Sequence, residues 1–242
     1  YQLYDAFLRS RNENDTESIE AQWYSLPNYM EGSTEKILPM IDTSGSMSFY
    51  DGLPARVGWS LGLYISERNE SIFKDSFLTF SSKPKMFYLK GTISEKIRSI
   101  KNVEWGGTTN VEAAFELLLN KAIENKIAES EMPTVILILS DLQFDPSTIS
   151  YKYNSYDMIT EHYNKAGYKI PKIIYWNLRA KENNVISSAF DKNVGLVSGF
   201  SPSCLKSILV GNEIINEEHK EETPYDLMMK VVNSDRYEII KI

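Results

Sequence analysis

Asp42, Ser44 and Ser46 form a D-x-S-x-S stretch inside ILPMIDTSGSMS. One carboxylate and two hydroxyls at alternate positions give three oxygens that a loop can aim at one point. Oxygen is the donor that a hard cation such as Mg²⁺ takes, at short and nearly octahedral distances. The stretch follows the apolar run Ile37–Ile41, which reads as a buried strand. Two further stretches carry oxygen donors. Thr108, Thr109 and Asn110 open a helical pattern after Gly106-Gly107, and Asp141 directly follows VILILS. A lone D-x-S-x-S also makes turns and helix caps. Three such loops, each at a strand end or a helix start, are a more specific sign of a cation site.

Those loops need elements to hold them. Residues 1–31 read as a polar helical segment, in which Thr16, Ile19, Trp23 and Leu26 have helical spacing behind a cap at Thr16. A first strand over 36–41 precedes a helix that Pro54 opens and that carries Val57, Leu61, Tyr64 and Ile65 inward. Gly58 and Gly62, one turn apart on it, suit close packing of helix on sheet. SFLTFS (76–81) and KMFYL (85–89) read as a strand pair around a tight turn. A short helix over 94–100 with a Ser cap follows, then a long helix from Val111. TVILILSD is the continuous apolar run of a central parallel strand. Residues 156–166 read as a helix stopped by Gly167, 171–178 and 194–197 as strands, 202–209 as a helix, a last helix from Pro224 through Val232, and 237–242 as a terminal strand. Strands alternating with helices predict an α/β fold: a doubly wound, mostly parallel central sheet with helices on both faces. In such sheets ligands sit outside the carboxyl ends of the strands, where all three loops fall.

In this order the motifs DTSGS, GGTTNVEAAF and LSDLQ resemble the von Willebrand factor A fold and its metal-ion-dependent adhesion site. In that family D-x-S-x-S, a distant Thr and a distant Asp hold one divalent cation. The resemblance implies a metal set of Asp42, Ser44, Ser46, Thr109 and Asp141, with Thr108 the alternative to Thr109, and a Mg²⁺ ion that Mn²⁺ can replace. It also implies a protein partner whose Asp or Glu completes the octahedron. A fuller resemblance runs through EAQWYSL, IDTSGSM, WGGTTNVEAAF, LSDLQFD, YWNLR and GLVSGFSPSCLKSIL. These phrases are similar to a domain-of-unknown-function family that pairs a C-terminal von Willebrand A-like domain with a TROVE-like helical region, akin to the RNA-binding ring of the Ro autoantigen. That implies residues 1–31 as a helical segment packed on a domain of residues 32–242, in a chain that is the C-terminal part of a larger protein. RNA would then be reached through an N-terminal region outside this sequence.

Bulk properties narrow the classes. The chain has 242 residues, a net charge of −7 and 42% hydrophobic residues, enough for one large α/β domain and without the basic footprint of a nucleic-acid binder. Cys204 is the single cysteine, so no internal disulfide frames the fold and a reducing, intracellular, cytoplasmic setting is expected. The longest strongly apolar run, Val135–Leu139, is far short of a bilayer span, and no membrane role is expected. His162 and His219 lie apart and outside any ligand pattern; both read as surface residues. Glu104 and Trp105, before the Thr loop, read either as shaping the pocket or as a strand-end residue and a core aromatic, and Asp145 reads as a cap before Pro146. The expected function is a non-enzymatic, metal-dependent protein-binding module. The alternatives are a capping domain of an RNA-binding protein and, third, a Mg²⁺-dependent phosphohydrolase with Asp42 as nucleophile. Phosphoryl transfer wants further carboxylates and a Lys beside the phosphate, where this loop has Ser44 and Ser46.

Overall fold

The computed structural model describes residues 1–10, 12–80, 83–101, 103, 105–106, 110–141, 157–179 and 194–198. Within them, β1 (Ile37–Asp42), β2 (Ser76–Phe80), β3 (Lys85–Tyr88), β4 (Val135–Ser140), β5 (Lys172–Asn177) and β6 (Val194–Ser198) form one sheet in the order β3-β2-β1-β4-β5-β6. Only the β2–β3 pair is antiparallel. The helices are α1 (Gln2–Arg9), α2 (Glu13–Tyr24), α3 (Phe49–Arg68), α4 (Ile93–Ile100), α5 (Val111–Glu124) and α6 (157–165). The predicted elements beyond residue 198 lie outside the described residues.

Burial explains the layering. β1 and β4 are buried at every position, as strands covered on both faces must be. Their side chains alternate between two cores. Ile37, Ile41, Leu137 and Leu139 pack with residues of α1, α2, α3 and α4, whereas Leu38, Met40, Ile136 and Ile138 pack with Phe115 and Leu118 of α5 and Tyr163 of α6. At Gly62 a Cβ would stand 2.5 Å from Ile41 Cδ1, and at Gly58 one would stand 3.1 Å from Leu178 Cδ1. The two glycines thus let α3 lie directly on β1.

The N-terminal stretch is two helices rather than one. Asn12, not Thr16, is the cap that starts α2, accepting from Asp15 N at 2.8 Å; an Asn side chain reaches the exposed N–H groups of a first turn. Thr16 sits inside α2 and donates to Asn12 O instead. Thr92 likewise replaces Ser94 as the cap of α4, in a reciprocal capping box with Glu95. A buried ion network anchors these helices. Trp23 Nε1 donates to Glu67 Oε2 at 2.6 Å, and Lys96 Nζ bonds Glu67 at 2.8 Å and Asp75 at 2.7 Å. Burial pulls the Lys96 ammonium down, but its bonds to Asp75 and Glu67 outweigh that and leave its pKa above the ordinary lysine value.

The topology fixes where a site can form. β2 and β4 flank β1 on opposite sides, α3 leaves β1 on one face and α5 enters β4 from the other. The strand order therefore reverses between β1 and β4, and a crevice opens at their carboxyl ends.

Candidate metal centre

Parallel pairing sets Ile41 opposite Leu139, so Asp42 and Ser140 reach the carboxyl edge side by side. Ser140 Oγ donates to Asp42 Oδ2 at 2.5 Å. The other oxygen, Oδ1, accepts Ser44 N at 2.8 Å, the Asx-turn by which an aspartate caps the loop that follows it. Both carboxylate oxygens of Asp42 are thus held by the chain, and the residue is 1% exposed.

The loop then folds over this carboxylate. Gly45–Ser48 form a 3-10 turn whose Met47 is fully buried in the core beneath α3. That anchor returns Ser46 toward the sheet, where Ser44 Oγ and Ser46 Oγ stand 3.0 Å apart and Ser46 Oγ donates to Asp141 Oδ1 at 3.1 Å. Asp141 is 4% exposed. A second loop is tied to the first: Gly106 N donates to Thr43 O at 3.0 Å, and Ser44 and Gly106 pair as a parallel bridge.

The electrostatics follow from burial. Desolvation raises the Asp42 carboxyl above the usual aspartate range, bonds from Ser140 and Ser44 oppose the rise, and the negative charge of Asp141 adds to it. Two carboxylates share one buried pocket and repel. Ser140 and Ser46 turn hydroxyls toward them, and Ser44 turns its backbone N–H.

Asp42, Ser44, Ser46 and Asp141 therefore come together from positions 99 residues apart in the chain. Thr109 and its alternative Thr108 lie outside the described residues, as do Asp145, Glu104, His219 and Cys204. Asn110 is the N-cap of α5, accepting Ala113 N at 2.9 Å. Trp105 is not a core aromatic: 49% of its surface is open to solvent. His162 is exposed and pairs with Glu116 at 2.5 Å. Ser140 and Gly106 are participants that motif reading missed. For Ser140 the signal is the strand register, which sets the residue before Asp141 beside Asp42.

Among the described residues, no group of three or more His, Cys, Asp or Glu side chains could hold a metal, so a cation here would rest on hydroxyls as well as carboxylates. No described helix is long and apolar enough to cross a membrane.

Residues 36–239 match the family described as "Domain of unknown function (DUF7788)". The chain is 29% identical over 231 residues to "Uncharacterized protein L728" of Acanthamoeba polyphaga mimivirus, covering 93% of this chain and 40% of that protein. It thus spans about two fifths of the length of that curated relative. Among solved structures it is similar to the Deinococcus radiodurans RO (RSR) protein, at 16% identity and a TM-score of 0.48, over 81% of this chain and 38% of the other. It is also similar to the SpRpn10 VWA domain, at 16% identity and a TM-score of 0.41, over 77% of this chain and 98% of that domain.

Proposed function

From the premise that the chain belongs to the DUF7788 family, we propose that its carboxyl-edge cluster is a metal-dependent adhesion site that grips an acidic side chain of a protein partner. One observation carries the proposal. Ligands held about 2.1 Å from Mg²⁺ stand about 3.0 Å apart along an octahedral edge. Ser44 Oγ to Ser46 Oγ is 3.0 Å, and Ser46 Oγ to Asp141 Oδ1 is 3.1 Å. Three oxygens in a row are already spaced as one side of such a shell. The wider edge of a Ca²⁺ shell, with ligands at 2.3–2.6 Å, suits them less.

In this reading Ser44 and Ser46 offer neutral hydroxyls and Asp141 one carboxylate oxygen. Asp42, with both oxygens already accepting bonds, supplies negative charge and orients the loop. Thr109 is the proposed fifth member, with Thr108 its alternative. Mg²⁺, or Mn²⁺ in its place, would neutralise the paired carboxylates and act as a Lewis acid with unfilled coordination. The partner's Asp or Glu would fill it.

The reading is non-enzymatic. Asp42 is buried and doubly hydrogen-bonded, which suits a positioning carboxylate and not a nucleophile that must approach a phosphorus atom. Isothermal titration with Mg²⁺ tests the proposal: heat is expected from the wild type, and none from Asp42→Ala or Ser46→Ala. A wild type that takes up no Mg²⁺, or variants that bind as it does, would overturn it.

A further inference from the structure

Beside the D-x-S-x-S loop lies a cavity of about 240 Å³ that the cation reading does not use. Its apolar walls come from Tyr4, Leu8, Trp59 and Trp105, and Ser48 of the 3-10 turn and Gly52 near the start of α3 also line it. The volume is below the range of pockets that enclose small-molecule ligands, and it suits a single large side chain.

The surface around it is unusual for a protein whose aromatics could be buried. Phe49 is 57% exposed, Tyr50 53% and Trp105 49%. The chain meets a conformational cost to present them. Tyr50, Asp51 and Gly52 have φ of 54°, 56° and 71° in succession, a left-handed run that L residues disfavour and that tends to occur where function requires it. Arg179 holds this turn from the end of β5, with Nη2 donating to Tyr50 OH at 3.2 Å and its guanidinium 5.4 Å from the ring centre. Exposed aromatic clusters with a guanidinium among them have the composition of protein-binding surfaces.

We infer that the cavity seats an aromatic side chain of the same partner segment that delivers its carboxylate to the cation site, two residues away along an extended strand. This inference rests on the proposed function above. The spacing comes from the loop. Ser46 lies in the oxygen row and Ser48 in the cavity wall, two residues apart and hence at most about 7.6 Å between Cα atoms. In an extended peptide, residues two apart project on one face about 6.5–7 Å from each other. Charge fixes the partner's character. Lys101 lines the cavity, as does Arg56, whose guanidinium is already paired with Asp5 Oδ2 at 3.2 Å, in a chain whose net charge is −7. An acidic segment with one aromatic residue is complementary to that local positive lining.

Two fluorescent hexapeptides test this by polarisation in saturating Mg²⁺, one with Asp and a Trp two residues on, the other with Ala in place of that Trp. The Trp peptide should bind the wild type about tenfold or more tightly than the Ala peptide, the order expected for burying one aromatic ring. Trp105→Ala, at an exposed position, and Ala55→Leu, which fills the cavity, should each abolish that preference and leave the calorimetric uptake of Mg²⁺ unchanged. Equal binding of the two peptides, detectable binding of neither, or a preference that survives in both variants would overturn the inference while leaving the cation reading in place. Absence of Mg²⁺ uptake by the wild type would instead remove the reading on which it rests.

Discussion

Ser140→Ala isolates the bond that holds Asp42. Ser140 is fully buried and donates at 2.5 Å to Asp42 Oδ2. A hydrogen bond to a charged group contributes about 1.5–3 kcal/mol, and the lost hydroxyl leaves too small a void to add much. For a chain of this length each kcal/mol moves Tm by about 2–4 °C, so the metal-free variant should melt roughly 3–12 °C below wild type at neutral pH. The deficit has a ceiling, because Asp42 can take up a proton instead of remaining charged and short of a donor. Its folded pKa is already raised by burial and by Asp141, and loss of the Ser140 bond raises it further. A carboxyl raised above its unfolded value favours the folded state below the unfolded pKa and loses that contribution as pH climbs through the folded one. The deficit should therefore shrink as pH falls from neutral toward the ordinary aspartate range. Mg²⁺ affinity should fall by about 10- to 100-fold, the usual cost of removing a group that orients a metal ligand. Scanning calorimetry in EDTA across that pH range and titration calorimetry with Mg²⁺ read both effects, and Ser140→Thr should restore both. Wild-type melting in the Ala variant, or a deficit that grows on acidification, would refute the account of Asp42.

Gly62→Ala sets a Cβ 2.5 Å from Ile41 Cδ1; overpacking of about 1–3 kcal/mol should exceed the roughly 1 kcal/mol gained in helix propensity, lowering Tm in a thermal melt. Gly58→Ala meets only side-chain ends, at 3.1 Å and 3.4 Å, and should melt within a few degrees of wild type, so equal losses at the two sites would contradict the packing of α3. Lys96→Met removes the cation between Glu67 and Asp75, leaves Glu67 with Trp23 and Arg68, and should cost up to about 3–5 kcal/mol in chemical denaturation. The folded-state pKa of Lys96 is raised, so its contribution holds below the ordinary lysine value and is lost as pH rises through the higher folded value. Wild type should therefore lose stability faster than Lys96→Met in strongly alkaline buffer, and parallel curves would rule out the network as the cause.

The parallel core was legible because its strands are short, continuous and apolar. VILIL, residues 135–139, has no polar position to expose, so only a central strand covered on both faces accommodates it. The D-x-S-x-S loop was legible for a different reason: its donors are adjacent in the chain, and Asp42 Oδ1 reaches Ser44 N within one turn. Ser140 was not, since its partner lies 98 residues away and the pairing depends on a register that no local pattern encodes. The helix starts were misread at Thr16 and Ser94 because several capping residues stand close together. Asn12 and Thr92 win through a reach of three residues to a free N–H. Of the two readings of Trp105, the core aromatic fails because aromatic character alone argues for burial, whereas the ring is half exposed and lines a cavity.

The two charged clusters of this fold have opposite characters, and the contrast bears on where it responds to a ligand. At one, Lys96 lies between Glu67 and Asp75, with Trp23 donating to Glu67 as well. Opposite charges and a full set of bonds tie α2, α3 and α4 together. At the carboxyl edge Asp42 and Asp141 are buried with like charge, and hydroxyls of Ser46 and Ser140 and the backbone N–H of Ser44 donate to them. Removing charge there, by a proton or a cation, relieves repulsion that the folded state bears and the unfolded chain does not. A cation that binds only the folded form stabilises it by RT ln(1 + [L]/Kd), about 2.7 kcal/mol at a hundredfold excess over Kd, or roughly 5–11 °C in Tm. A rise in Tm with Mg²⁺ should therefore appear in wild type and in Lys96→Met alike, from different baselines, and vanish in Asp42→Ala. If Lys96→Met abolished the rise, the two clusters would be coupled through α3, and the separation argued from their geometry would be wrong.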